Sequence, residues 1–272
     1  MQEEILKKVR ARKNHEDRLN YLREELHHLI LQEIDRKGGF KQLCFVGGTA
    51  LRILFDLDRF SEDLDFFLSL RVKKEFHLKP LVDSIQKSLE GFGFLCEIRS
   101  LKNEKNVQSC FFTFSQLLPK LDSIYRAEQK LAIKLEVDTN PPEGALETTS
   151  PVAGERLYKI CHYDPPSLFA GKLHALLFRH YTKGRDLYDF LWYVGKKIFP
   201  NIGLLENAIF QTKKKRMMLT PESLKTMLQE RFEATDWNLA KKDVSSFLSD
   251  PGSLNLFSKE IFLDALSRLV IQ

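Results

Sequence analysis

The sequence predicts an α/β domain with an N-terminal helix over residues 1–148, followed by a helical domain over residues 149–272. Three observations carry that expectation. An apolar run, Leu43 to Val46, passes through Gly47-Gly48 into a helical pattern at Thr49–Phe55 and returns as Asp63-Leu64-Asp65-Phe66-Phe67-Leu68, which reads as strand, helix, strand. Three more strand-like runs follow, at 94–101, 107–114 and 131–138. From about Thr149 strand patterns stop, and helical spacing broken by proline and glycine takes over.

Composition narrows the class. Hydrophobic residues at 43% and charged residues at 29% describe a globular chain with an ample core, and 21 phenylalanines predict that the core is largely aromatic. A net charge of +5 and a pI near 8.9 permit a polyanionic partner without requiring one. Cys44, Cys96, Cys110 and Cys161 are scattered in apolar runs without a Cys-x-x-Cys pair, so they read as small buried hydrophobes in a reducing, cytoplasmic setting. Met1 to Lys8 carries no apolar leader core, and no run approaches the ~18 apolar residues that a membrane span needs.

In chain order, residues 16–37 read as an amphipathic helix. Leu19, Leu22, Leu26, Leu29, Ile30 and Ile34 form its stripe, Gly38-Gly39 ends it, and His27 and His28 are expected at its surface or rim. Lys73–Glu90 reads as the next helix, stopped by Gly91-Phe92-Gly93. Asn103–Asn106 then turns one strand into the next. In the run Leu131–Asp138, Ile133, Leu135 and Val137 face one way and Lys134, Glu136 and Asp138 the other. Helices are expected near Gly154–Cys161, Ser167–Tyr181, Arg185–Lys197, Leu204–Phe210, Pro221–Phe232, Asp236–Leu248 and Lys259–Val270. The helical part is expected to complete the active site.

Asp63 and Asp65 share one strand face, where each carboxylate raises the other's pKa. Such a pair makes sense around divalent cations. Oxygen ligands suit magnesium, and two such ions can activate an attacking oxygen and steady a leaving one. The Gly47-Gly48 turn lets backbone approach a phosphate, with Thr49 adding a hydroxyl and a helix start. A second cluster lies downstream. Lys172 and Arg179 are seven apart on one predicted helix, with small Ala175 between them, leaving room for a triphosphate that Lys172 meets as a point charge and Arg179 as a planar fork. Arg185, Asp186 and Asp189 crowd the start of the next helix, where the acids serve the helix dipole or orient those cations. His174 and His180 are not needed for such a transfer. Lys213–Arg216 is a short basic run, either a solvated loop or a contact to an RNA backbone.

Gly47-Gly48-Thr49-Ala50-Leu51-Arg52, followed by Arg59-Phe60-Ser61-Glu62-Asp63-Leu64-Asp65, resembles the signature of the AbiEii-type abortive-infection nucleotidyltransferase toxins, within the polymerase-beta-like superfamily. Threonine stands where that superfamily often has serine. Lys172, Ala175 and Arg179, then Arg185, Asp186 and Asp189, resemble the downstream motifs of the same toxins. The resemblance implies an α/β (α+β) polymerase-beta-like domain with a mixed sheet and a helical C-terminal part. It implies a third carboxylate on the 131–138 strand, Glu136 with Asp138 as the alternative, so that Asp63, Asp65 and Glu136 hold magnesium and act in catalysis with Lys172. Gly47, Gly48, Thr49, Arg52, Ser61, Lys172, Arg179, Arg185, Asp186 and Asp189 would bind the nucleoside triphosphate. The expected reaction is transfer of a nucleoside monophosphate to a hydroxyl, the 3′ end of tRNA being the favoured acceptor, by a toxin with an antitoxin encoded nearby. Alternatives are transfer to a protein or a small molecule, and a non-catalytic nucleotide- or RNA-binding module.

Overall fold

The computed structural model describes residues 1–72, 75–104 and 106–271. Among them, β1 (Leu43–Val46), β2 (Leu64–Leu68), β3 (Cys96–Asn103), β4 (Val107–Phe114), β5 (Leu131–Asp138), β6 (Glu147–Val152) and β7 (Tyr158–Tyr163) form one sheet in the order β3-β4-β5-β2-β1-β7-β6. The sheet is mixed. β1 runs antiparallel to β2 and parallel to β7, β2 is parallel to β5, and β4 is antiparallel to both β3 and β5. Helices α1 (Gln2–Arg10), α2 (His15–Arg36), α3 (Gly47–Phe55), α4 (Leu78–Gly91) and α5 (Leu117–Leu121) accompany it.

Period-two alternation decides which strand face is buried. Leu64 and Phe66 of β2, Phe112 and Phe114 of β4, and Ile133, Leu135 and Val137 of β5 join one core with Leu22, Leu26, Leu29, Ile30 and Ile34 of α2 and Val82, Ile85 and Leu89 of α4. The opposite face of β5 carries Lys134, Glu136 and Asp138, all half-buried. α2 begins at Asn14, whose side chain accepts the Asp17 N–H.

Four expectations change. The helix expected at Lys73–Glu90 begins at Leu78; Lys73 and Lys74 lie outside the described residues, as does Lys105 of the expected turn. α1 and α5 are additional. Gly154–Cys161 is not a helix, because Tyr158 onward forms β7, a parallel neighbour of β1. β7 is buried on both faces along most of its length, so it lacks the alternation that marks a half-buried strand. Finally, His27 is 1% exposed rather than at the rim, and its Nε2–H donates to the Glu62 carbonyl at 3.0 Å.

Burial pushes the His27 imidazole down to about 3; His28 and Arg23 lower it further, and the Glu62 carbonyl opposes them. Because the unfolded imidazole titrates near 6.5, its neutral form favours the fold above that pH, and stability falls as pH drops toward 3. The expected slope contributed by this group is up to about 1.4 kcal/mol per pH unit. Urea midpoints between pH 7 and pH 5 should therefore fall in the wild type and flatten in His27→Gln. An unchanged slope in the variant removes His27 as the source.

The chain divides into two compact units. The first holds Met1–Asp56, Phe60–Pro141 and Glu147–His162; the second holds Leu57–Arg59, Pro142–Leu146 and Tyr163–Gln272. The α/β unit thus continues beyond residue 148, because β6 and β7 extend its sheet. In the second unit, α6 (Pro165–Phe178), α7 (Gly184–Gly195), α8 (Ile202–Lys213), α9 (Pro221–Glu233), α10 (Trp237–Ser245) and α11 (Lys259–Arg268) follow the expected segments, with a 3-10 turn at Pro251–Leu256. Asp164, Asn201, Thr220, Asp236 and Ser258 cap five of these helices through their side chains. Their core is aromatic. Phe169 stacks on Tyr193 at 4.1 Å between centroids, and Phe232 and Trp237 both meet Phe262. Gly184 opens α7 against α10, where a Cβ would come within 2.0 Å of the Ala240 carbonyl oxygen. No helix of the described residues is long and apolar enough to cross a membrane.

Candidate active site

In the α/β unit the site is built by register. Asp65 on β2 pairs with Val46 on one side and Glu136 of β5 on the other, and Glu136 pairs in turn with Ser109 of β4. Asp65 and Glu136 are therefore cross-strand neighbours on one face. Asp138 lies two residues further along, level with Phe67, and accepts the Asn140 N–H at 2.8 Å. Burial raises the Asp138 carboxyl, the Glu136 charge adds to this, and the Asn140 N–H opposes it.

Gly47 ends β1 in the left-handed region, at φ +80°, and a Cβ there would lie 2.5 Å from Asp65 Oδ2. Glycine is required twice over: for the turn into α3, and to let backbone lie against the Asp65 carboxylate. α3 starts without a side-chain cap, leaving the first-turn N–H groups to another partner. Thr49 is 2% exposed, and its hydroxyl donates to the Asp63 carbonyl at 2.5 Å. That hydroxyl fixes the chain entering β2. Arg52 is engaged too: its Nε donates to Glu24 at 2.6 Å, and its guanidinium lies 4.2 Å over the Phe60 ring. Both side chains thus hold the signature in shape. Ser61 is half-buried in the connection between α3 and β2.

Lys134 was not anticipated. It shares the acidic face and its ammonium donates to Glu136. Burial works against its charge, but Glu136, with Asp63 and Asp65, outweighs this and holds its pKa above the usual lysine value. Among the described residues, the only Cys, His, Asp or Glu ligand atoms gathered three within 4.8 Å are those of Cys44, Glu147 and Cys161. Asp65 and Glu136 on neighbouring strands, and Asp63 just before β2, thus do not converge to ligand distance.

In the helical unit a second network forms. Arg59 is 1% exposed, and its guanidinium grips Asp189 by two bonds of 2.7 Å. Lys172 Nζ shares the Asp189 Oδ2 oxygen with Arg59 at 2.7 Å and lies 3.3 Å from Asp186 Oδ1. Arg179 donates to Asp186 Oδ2 at 2.6 Å. The expected single helix face does not bring Lys172 and Arg179 together, since α6 stops at Phe178 and Arg179 is extended. Asp186, in the first turn of α7, bridges them instead. The Arg185 guanidinium lies 4.3 Å over the Phe247 ring. Burial alone would raise Asp189, and the Arg59 and Lys172 cations beside it more than reverse this, leaving it below the usual carboxylate value.

The sequence matches the family described as "Nucleotidyl transferase AbiEii toxin, Type IV TA system" over residues 29–263. The chain belongs to the AbiEii nucleotidyltransferase toxin family. No curated protein matches it. Its structure is similar to JHP933 from Helicobacter pylori, with a TM-score of 0.50 and 18% identity, covering 92% of this chain and 88% of that one. It is equally similar to a candidate nucleotidyltransferase from H. pylori, with a TM-score of 0.51 and 18% identity over 90% and 91% of the two chains. The mixed seven-stranded sheet that this AbiEii member shares in fold with these structures is consistent with the polymerase-beta-like fold that its motifs implied. Arg59 and Lys134 are the polar residues that motif reading left without a role. Lys134 was accessible in principle, since period two places it on the Glu136 face, whereas the burial of Arg59 against Asp189 depends on a contact 130 residues away.

Proposed function

We propose that this AbiEii-family chain transfers a nucleoside monophosphate from a magnesium-bound nucleoside triphosphate to the 3′-terminal hydroxyl of tRNA, as a cytoplasmic toxin controlled by an antitoxin encoded nearby. The observation that carries the reading is the register placing Asp65 beside Glu136 with the Gly47 turn packed on the Asp65 carboxylate. An all-oxygen donor set on one strand face fits a hard cation. Held by Asp63, Asp65 and Glu136, magnesium would supply Lewis-acid stabilisation of the phosphoryl oxygens.

The chain's own groups do the rest. First-turn N–H groups of α3 at Gly47, Gly48 and Thr49 receive phosphate oxygens. The Glu136 carboxylate accepts the proton of the attacking hydroxyl. Lys134 pairs with Glu136 and would have to yield it for Glu136 to serve as a cation ligand. Lys172 and Arg179 neutralise charge on the triphosphate, Asp186 and Asp189 hold them extended, and leaving pyrophosphate departs with that charge compensated. Ser61 and Arg185 complete the nucleotide contacts, and Arg52 supports the signature through Glu24.

RNA as acceptor is favoured by the exposed run Lys213 to Arg216, which continues into Met217 and the 90%-exposed Met218. Incubation with labelled nucleoside triphosphates, magnesium and total RNA should label tRNA 3′ ends. Periodate oxidation of those ends should abolish the signal, and rising salt should weaken it steeply as counterion release is lost. Label on protein, or on oxidised RNA, overturns the RNA assignment while leaving nucleotidyl transfer in place. No label on any acceptor favours a non-catalytic binding module.

A further inference from the structure

On the same sheet face as Asp65, but two residues back along β1 from Val46 and toward the β6 edge, the Sγ atoms of Cys44 and Cys161 lie 3.2 Å apart. With one carboxylate oxygen of Glu147 they form a group within 4.8 Å. Three adjacent strands supply the three side chains. Phe45 of β1 pairs with His162 of β7 in parallel, so the preceding residues, Cys44 and Cys161, are level and face the same way, and Glu147 opens β6 beside them. Sheet register therefore fixes the spacing.

We propose that Cys44, Cys161 and Glu147 bind one thiophilic divalent cation of the zinc class, through a donor set distinct from the all-oxygen set of Asp63, Asp65 and Glu136. Two thiolates and a carboxylate are a zinc-type donor set, whereas magnesium avoids sulfur. Tetrahedral coordination with Zn–S bonds near 2.3 Å needs sulfurs about 3.8 Å apart, so the pair opens by only about half an ångström. The Glu147 carboxylate is already oriented. It is 5% exposed and accepts from Ser69 Oγ at 2.8 Å, from the Leu70 N–H at 3.1 Å and from Arg71 Nε at 3.1 Å. Such outer contacts fix the direction in which a ligand presents its lone pairs. Arg71, 75% exposed, is free to swing outward as the cation enters. Filling the site ties β1, the strand that leads into the Gly47 turn, to β7 and β6.

Cobalt(II) is the probe, because a thiolate–cobalt charge-transfer band reports sulfur ligands and no other site of oxygen donors produces it. The reduced full-length protein should take up one equivalent with that band, and zinc should displace it and raise the melting temperature. Cys44→Ser and Cys161→Ser should lose the band, Glu147→Gln should weaken cobalt affinity roughly tenfold or more, and the Cys96→Ser/Cys110→Ser double variant should keep it. Should the serine variants fail to fold, X-ray absorption of the zinc-loaded wild type decides: two sulfurs near 2.3 Å are expected. A zinc shell of oxygen and nitrogen only, no band in the reduced wild type, a band that survives both serine variants, or a Cys44–Cys161 disulfide formed in preference to metal uptake overturns the proposal.

Discussion

Asp63→Ala and Asp65→Ala are each expected to abolish nucleotidyl transfer while leaving the protein folded. Asp65 is level with Glu136 and Asp63 stands two residues before it, so removing either deletes an oxygen donor from the proposed cation site while relieving like-charge repulsion. Lewis-acid stabilisation worth several kcal/mol corresponds to a rate loss of roughly 10³-fold or more. The same series ranks the other acids. Glu136→Gln should lose a comparable factor, because Glu136 is level with Asp65, whereas Asp138→Asn should lose far less, because Asp138 is level with Phe67 and bound to the Asn140 N–H. Single-turnover rates with saturating magnesium measure all four. Near-normal turnover in either aspartate variant removes the cation assignment, and a larger loss in Asp138→Asn than in Glu136→Gln transfers the third position to Asp138.

Asp189→Asn should be the most destabilising polar substitution in the helical unit, at about 3–5 kcal/mol, since it leaves the Arg59 guanidinium buried without its counter-charge. Asparagine keeps the shape, so the loss reports charge and hydrogen bonding rather than a cavity. The depressed Asp189 pKa sets the pH dependence. Its contribution is present above the ordinary carboxyl value of 3.8 and is lost as pH falls through the lowered folded value. Lys172→Ala is the contrast. It leaves the two-bond Arg59–Asp189 fork in place and should cost little stability, yet it should weaken triphosphate binding and slow chemistry together. Urea denaturation of both variants at neutral pH, with kinetics of the second, separates the two effects. A melt of Asp189→Asn within about 1 kcal/mol of the wild type would mean that Arg59 finds another partner.

Much of the α/β unit was legible because its signals are local. The α2 stripe, the Gly47 turn and the alternation of β5 each sit within a few residues of sequence, and the structure forms each where the pattern lies. β6 and β7 were not legible. One is a polar edge strand ending in proline and valine, and the other is buried on both faces and pairs with a strand more than a hundred residues earlier. Local periodicity carries no information about such pairing.

By itself the sequence determined the order of the residues proposed for the chemistry: a glycine turn, two acids two apart, one acid-bearing strand, then lysine, arginine and two aspartates in the helical part. Tertiary structure alone decided how they are used. Register placed Glu136, rather than Asp138, next to Asp65. A buried hydroxyl bond turned Thr49 into a support for Asp63, and Glu24 claimed Arg52. Asp186 and Asp189 became the anchors of three cations because α7 begins where α6 has ended, so that side chains from separate segments meet on two carboxylates. Those outcomes follow from non-local pairing and desolvation, which are properties of the folded chain and not of any stretch of it.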